Sequence, residues 1–329
     1  MPAELLAQIY ASPEDDALRQ VYGDWLIEQD DPRGEFIALQ FKQARGVATA
    51  EDDRRVAALA LEHWWLWAGK LAGAIHRPEI EFEKGFLSRV TLGKVSASTS
   101  QQLLDQIVGD ATWGTVRHVK ASQTIGSYPA TVIHPVMKGL RSLVLDFGSL
   151  PRVCGGPVPW SLERLELRSW IVEDEQLKVI AECPGFARLE HLVLATGGSS
   201  DEVMRRVLRA RICERLQRLT LAFTGHGADM EPVVEALSGD SAIEVLEIEL
   251  NAFACCAALA PTGGRYLAVT LREATDHAIA VVSMFLDAAR GRFASVSLAH
   301  GANVVPTWAS KKLVRSVTRA SEVIVRPTV

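Results

Sequence analysis

The sequence predicts an α/β chain in which a curved, parallel sheet with helices on its convex side, an extended α/β solenoid, follows an N-terminal all-α helical module. Three observations predict it. An aliphatic triplet recurs ten times between residues 87 and 325, segments of helical spacing lie between its copies, and the first 78 residues carry only three- and four-residue apolar steps. The domain organisation read from this is 1–78 for the helical module and 79–329 for the repeats.

The module starts with AELLAQIY (3–10), a short helix. Ser12-Pro13-Glu14-Asp15 then reads as a helix start, with Ser as N-cap, Pro at N1 and an acid at N3. Leu18, Val21, Tyr22, Trp25 and Leu26 recur on one stripe of the second helix. Asp31-Pro32 begins a third helix that continues to about Arg45, carrying Phe36, Ile37, Leu39 and Phe41. A fourth runs from Thr49 to about Leu71 and holds Trp64, Trp65 and Trp67, which serve either as a packing seam or as an exposed docking patch.

EIEFEKGFLSRVTL (79–92) alternates charged and apolar residues about Gly85 and predicts a hairpin that covers the first edge of the sheet. The repeats follow as LSRVTL (87–92), VRHVKA (116–121), LRSLVL (140–145), LERLEL (162–167), LEHLVL (189–194), LQRLTL (216–221), IEVLEI (243–248), YLAVTL (266–271), FASVSL (293–298) and ASEVIV (320–325). Their starts are separated by 29, 24, 22, 27, 27, 27, 23, 27 and 27 residues. Apolar side chains at positions four and six of each copy share the buried face of a strand, and positions three, five and seven face the other way.

Between copies, residues 98–110, 173–183, 199–213, 229–239, 275–290 and 307–320 have helical spacing, with Ser199 or Ser200, Asp229 and Thr275 placed as N-caps. Strand, helix and strand at this period mean parallel strands joined by crossover helices. LDFGSLPRVCGGPVPW (145–160) and LNAFACCAALAPTGG (250–264) are too rich in Gly and Pro or too short for a full helix, so loops or 3₁₀ turns are expected there.

The LxxLxL cores, such as Leu140-Leu143-Leu145 and Leu216-Leu219-Leu221, resemble the leucine-rich repeat family in its longer, helix-containing form, over roughly residues 80–329. The ninth position departs from that pattern. Asn251 supplies the family's laddering Asn, whereas Gly148, Trp170, Gly197, Thr224 and Gly301 stand in other copies. Residues 4–42 resemble the bacterial repeat-companion domain through Asp15-Asp16, Arg19, Tyr22, Asp24-Trp25-Leu26, Asp31-Pro32-Arg33-Gly34-Glu35-Phe36 and Gln40, with Gly23 where that module has Ala. The resemblance implies company with repeats and no particular reaction.

Net charge is −5, and its distribution is uneven: residues 1–78 hold 13 acids and 8 bases, the remainder 27 of each. That balance does not suggest a polyanion partner for the chain as a whole. The N-terminus has no signal-peptide pattern and no apolar run reaches the ~18 residues of a membrane span, so a cytoplasmic protein without membrane contact is expected. Cys154, Cys183, Cys213, Cys255 and Cys256 lack CxxC spacing, which suits free thiols, and the vicinal last two suit tight packing. His226 and His277 have no partner at metal-ligand spacing, and ATGGSSDE (195–202) lacks the Lys and Gly spacing of a phosphate loop. No cofactor, metal or catalytic residue is assigned.

The outward position-three residues are Arg89, His118, Ser142, Arg164, His191, Arg218, Val245, Ala268, Ser295 and Glu322. With Arg117, Arg141, Lys120 and Arg168 beside them, five of the first six make a basic stripe about 25 Å long at ~4.8 Å per strand. Glu244, Glu247 and Glu249 reverse the sign further on. The expected function is a non-enzymatic protein-protein interaction scaffold whose basic half receives an acidic protein segment. Two other readings stay open: a phosphate-bearing ligand or nucleic acid on the basic half, and an enzyme with an acid/base site around Asp24, Arg33 and Glu35. Against the first two stands neutralisation by Glu163, Glu166, Glu190 and Asp146. Against the enzyme stands a structural corner, in which Asp31 caps, Gly34 admits a neighbouring backbone and the arginines pair with acids.

Overall fold

The structure, a computed structural model, describes residues 2–75, 79–92, 105–121, 128–169, 172–197, 200–223, 230–238, 243–249, 253–259, 265–271, 276–289, 291–293, 295–300 and 323–325. An N-terminal helical region is followed by a mostly parallel sheet with helices, an α/β architecture. The chain forms two compact units, Met1–Leu162 and Glu163–Val329.

In the first unit, α1 (Pro2–Ala11), α2 (Asp16–Glu28), α3 (Pro32–Ala44) and α4 (Ala50–Ala68) precede β1 (Glu81–Glu83), β2 (Phe86–Leu92), β3 (His118–Ala121) and β4 (Ser142–Asp146). Asp31 caps α3 by accepting from the Arg33 amide at 2.8 Å, with Pro32 at N1. Thr49 and Asp52 form a reciprocal capping box on α4. The start of α2 differs from the expected Ser12: residues 12–14 form a turn and Asp15 is the N-cap, accepting from Ala17 N at 3.0 Å. The Asp15 carboxylate takes the amides of Ala17 and Leu18, the first free donors once residues 12–14 have turned, and it also complements the helix dipole.

β1 and β2 form the expected antiparallel hairpin, and β2, β3 and β4 run parallel in chain order. The turn needs positive φ at both central residues, Lys84 (49°) and Gly85 (86°), as two-residue hairpin turns do. It sits directly on the helices. A Cβ at Gly85 would lie 2.1 Å from Ile37 Cγ1, and one at Gly34 would lie 2.6 Å from the Ile27 amide, so α2, α3 and the turn meet at backbone distance. Ile9, Tyr22, Leu26, Ile37, Phe41 and Phe86 close one core there, and Phe36, Leu39, Leu59 and Trp67 a second. Trp67 packs on Phe36 and Phe82 and belongs to the seam; Trp65 is 57% exposed. In 145–160, where loops or 3₁₀ turns are expected, Phe147–Ser149 is a 3₁₀ turn and Leu150–Cys154 adds a five-residue helix.

In the second unit, β5 (Arg164–Ser169), β6 (His191–Thr196), β7 (Arg218–Phe223) and β8 (Val245–Glu249) are parallel neighbours. α5 (Asp174–Glu182), α6 (Ser200–Leu208) and α7 (Met230–Ser238) are the connections. Leu165, Leu167, Leu192, Leu194, Leu219, Leu221, Leu246 and Ile248 are all fully buried, as positions four and six require. Each such side chain contributes roughly 1.5–3 kcal/mol relative to exposure.

The expectation of a loop at 250–264 is corrected. Phe253–Leu259 is strand β9, antiparallel to β8 on one edge and to β10 (Arg265–Leu271) on the other. Ala and Cys have little preference for strands, but pairing on both edges overrides it, and Cys255 and Ala257 fill the core side. β10, β11 (Ser295–His300) and β12 (Val323–Val325) resume the parallel order, with α8 (Asp276–Ala288) between the first two. The inserted strand also shifts the rows. Ser295 aligns with Tyr266, so Ala268 and Ser295 do not share a row as the repeat register implies. The expected helix at 307–320, most of that at 98–110, and the caps at Ser199, Asp229 and Thr275 lie outside the described residues.

Candidate functional site on the strand face

The residues singled out around the Asp-Asp-Pro-Arg-Gly corner are drawn to separate partners. Buried Arg33 donates through Nε and Nη2 to the Gly85 carbonyl and lies 4.6 Å over the Phe86 ring. Glu35 turns away to a bidentate pair with Arg55 of α4 at 2.8 and 2.5 Å, and this bond holds its carboxyl below the ordinary range. Asp24 is exposed. Arg19 donates to the carbonyls of Glu83 and Pro13, while Gln40 donates to Phe82 O and accepts from Gly85 N. Arg19, Arg33 and Gln40 therefore clamp the hairpin backbone, using side chains that satisfy polar groups otherwise stranded beneath the helices.

On the strands, positions three, five and seven alternate with the buried pair and line up within each unit; the charged ones are half-buried or exposed, whereas Thr91, Ser142, Val144, Val193 and Thr220 are buried. In the first, Arg89 aligns with His118 and His118 with Ser142. In the second, the rows are Arg164–His191–Arg218–Val245, then Glu166–Val193–Thr220–Glu247, then Arg168–Ala195–Ala222–Glu249.

Each cation of the expected stripe has an acidic neighbour. Arg89 Nε is 2.9 Å from Glu81 and Lys120 Nζ 2.5 Å from Glu79, both carboxylates from the hairpin segment. Glu14 receives Arg117 at 2.7 Å and Arg141 at 3.1 Å. Arg117 is 8% exposed and also donates to Gly114 O and Gly139 O, which makes it an internal brace and not a surface contact. Arg164 and Arg168 share Glu166, at 3.3 and 2.7 Å. Arg218 forks onto Glu247, and Thr220 Oγ1 donates to Glu247 at 2.8 Å. In these sets four cations meet three carboxylates in the first unit and three meet two in the second.

The two histidines add no charge near neutrality. Burial lowers the pKa of His118, with Arg89 adding to the effect. Burial, then Arg164 and Arg218, lowers that of His191 to about 4; its Nε2 lies 3.0 Å from Thr220 Oγ1. Burial works against ionisation of Glu247, yet its bonds from Arg218 and Thr220 outweigh this and leave its pKa below the usual carboxylate value. Of the neutralising acids expected to pair across strands, Glu166 does neutralise the stripe but pairs along its own strand, with Arg164 and Arg168; Glu14, Glu79, Glu81 and Glu247 were not among those expected. The strict alternation in EIEFE was the available signal for two of these.

Among the described residues no helix is long and apolar enough to cross a membrane, and no group of three His, Cys, Asp or Glu is arranged to hold a metal ion. Burial pushes the Cys213 thiol up to about 12. No family model matches the chain, and no curated protein matches it.

Proposed function

We propose that the chain is a leucine-rich-repeat-like solenoid with a repeat-companion module, acting as a non-enzymatic scaffold that binds another protein on the outward face of its strands. The observation that carries this reading is the relief of the β5–β8 face. In the row Arg168–Ala195–Ala222–Glu249 the two middle strands carry only methyl side chains between an arginine wall on β5 and a carboxylate wall on β8, and His191 and Arg218 stand on those same strands at the other end. The walls stand three strand spacings apart, about 14 Å, enough for one extended or helical segment. An acidic side chain entering at the β5 wall competes with Glu166 for two arginines that already share one carboxylate. Such complementarity orients a partner and raises its on-rate more than its affinity.

The interleaved carboxylates weigh against a nucleic acid, whose closely spaced phosphates would be repelled by Glu166 and Glu247. Against the enzyme reading, Arg33 turns Nε and Nη2 to the hairpin and Glu35 pairs with Arg55, which supports a fastening role for this corner. A photoreactive amino acid at Ala195, introduced in the native host, tests the proposal. Wild type is expected to crosslink proteins through an acidic stretch, and R164E/R168E with an unchanged melting temperature is expected to lose those products. Identical products from both would overturn it.

A further inference from the structure

The second unit carries a groove on its helices that the strand-face reading does not use. It lies between α5, the end of α6 and the 3₁₀ turn Arg211–Glu214, with a volume near 1100 Å³. Five arginines and one lysine line it: Lys178, Arg205, Arg206, Arg209, Arg211 and Arg215. Arg206 is held in place, donating to Val172 O and Glu202 and lying 3.3 Å from Asp174, and Arg215 donates to Ile180 O at 3.3 Å. The side chains of Lys178, Arg205, Arg209 and Arg211 are exposed and, among the described residues, make no hydrogen bond or ion pair.

The helix dipole accounts for basic residues in the last turn of α6, where Arg205 and Arg206 sit. The dipole does not account for Lys178 on α5 or for Arg211 in the 3₁₀ turn, yet both line the same groove as Arg205 and Arg209. Cations crowded on one lining without ion pairs of their own repel each other, and an acidic ligand relieves that repulsion. Arginine in preference to lysine points to planar, bidentate oxyanion partners.

We infer that this groove is a second docking site, for an acidic segment of a partner protein. A volume near 1100 Å³, at the upper end of the small-molecule range of roughly 300–1,000 Å³, admits a peptide segment. Glu182, Asp174, Glu202 and Glu214 interrupt the arginines along the lining. Separated carboxylates of a peptide fit between them, whereas the dense charge of a polyphosphate meets repulsion at each. The inference stands apart from the strand-face proposal, because the two surfaces share no residue.

Fluorescence anisotropy with a labelled peptide of alternating Glu and Ser, about twelve residues long, and with inorganic tripolyphosphate as competitor tests it on the full chain. R205E/R209E/R211E is expected to weaken peptide binding by about tenfold or more at low salt, while R164E/R168E keeps the groove's share of the binding. Circular dichroism establishes that both variants are folded, and R205Q/R209Q/R211Q serves as the milder variant if charge reversal unfolds the unit. Loss in the strand-face variant alone would overturn the groove and leave the strand face standing. Tripolyphosphate displacing the peptide at lower concentration than the unlabelled peptide would also overturn it, in favour of a phosphate site.

Discussion

Arg33 and Gly85 meet in a two-pronged bond, with Nε and Nη2 of the guanidinium both donating to one carbonyl oxygen, at 3.2 and 3.0 Å. The pair joins the start of α3 to the turn before the first long strand, across 52 residues of chain. Within this motif the Arg33 guanidinium fastens the hairpin turn to the helices.

Arg33→Ala removes both donors, strands a buried carbonyl and opens space beside Phe86. A loss of about 2–3 kcal/mol is expected, the usual range for charged hydrogen bonds in buried settings. Lys in its place restores charge without the fork and recovers little. Amide exchange reads the effect locally: Phe86–Leu92 should exchange faster in both variants, and unchanged protection would show that the fastening is dispensable.

Gly85→Ala meets two obstacles, a φ of 86° and Ile37 Cγ1 at 2.1 Å from the new methyl. Backbone strain and overpacking each cost of order 1–3 kcal/mol. Ile37→Ala alone is expected to cost about 2–5 kcal/mol as a large-to-small core change. Combined with Gly85→Ala it removes the clash, so the double variant should be more stable than the sum of the singles predicts. Urea unfolding of the four-member cycle measures this, and strict additivity would contradict the packing described.

His191 titrates near 6.5 when unfolded and at about 4 when folded. The unfolded chain therefore binds the extra proton first as pH falls. The stability contribution is complete above pH 6.5, declines between 6.5 and 4, and declines no further below that. His191→Gln is expected to flatten the stability profile across this window, leaving a residual slope from groups that include His118. Equal slopes for wild type and variant in pH-dependent urea unfolding would refute the burial of His191 among arginines.

Glu247 raises the pKa of His191, against the lowering by burial and the flanking arginines. Glu247→Gln keeps an acceptor for Arg218 and Thr220 but deletes the charge. The His191 titration followed by NMR should then move further below its wild-type value. An upward shift would mean that Glu247 does not face the Arg164–His191–Arg218 row.

Burial of the aliphatic triplets was legible in the chain because alternation is a local property: once Leu165 and Leu167 point inward, Arg164, Glu166 and Arg168 have no other side. The hairpin at Gly85 and the cap at Asp31 were legible for the same reason. β9 was not, since FACCAAL has no strong strand preference and becomes a strand only between two neighbours that pair with it. The N-cap of α2 was missed because Ser12 and Asp15 are both suitable caps and a turn decides between them.

The amino-acid order by itself thus determined the repeat, its buried face and the inventory of outward side chains, through periodicities that act over a few residues. Only the tertiary structure decided which charges meet. Glu79 reaches Lys120 across 41 residues and Glu14 reaches Arg141 across 127. Such pairings depend on packing that brings distant segments together, and the same packing turned Arg33 inward onto Gly85.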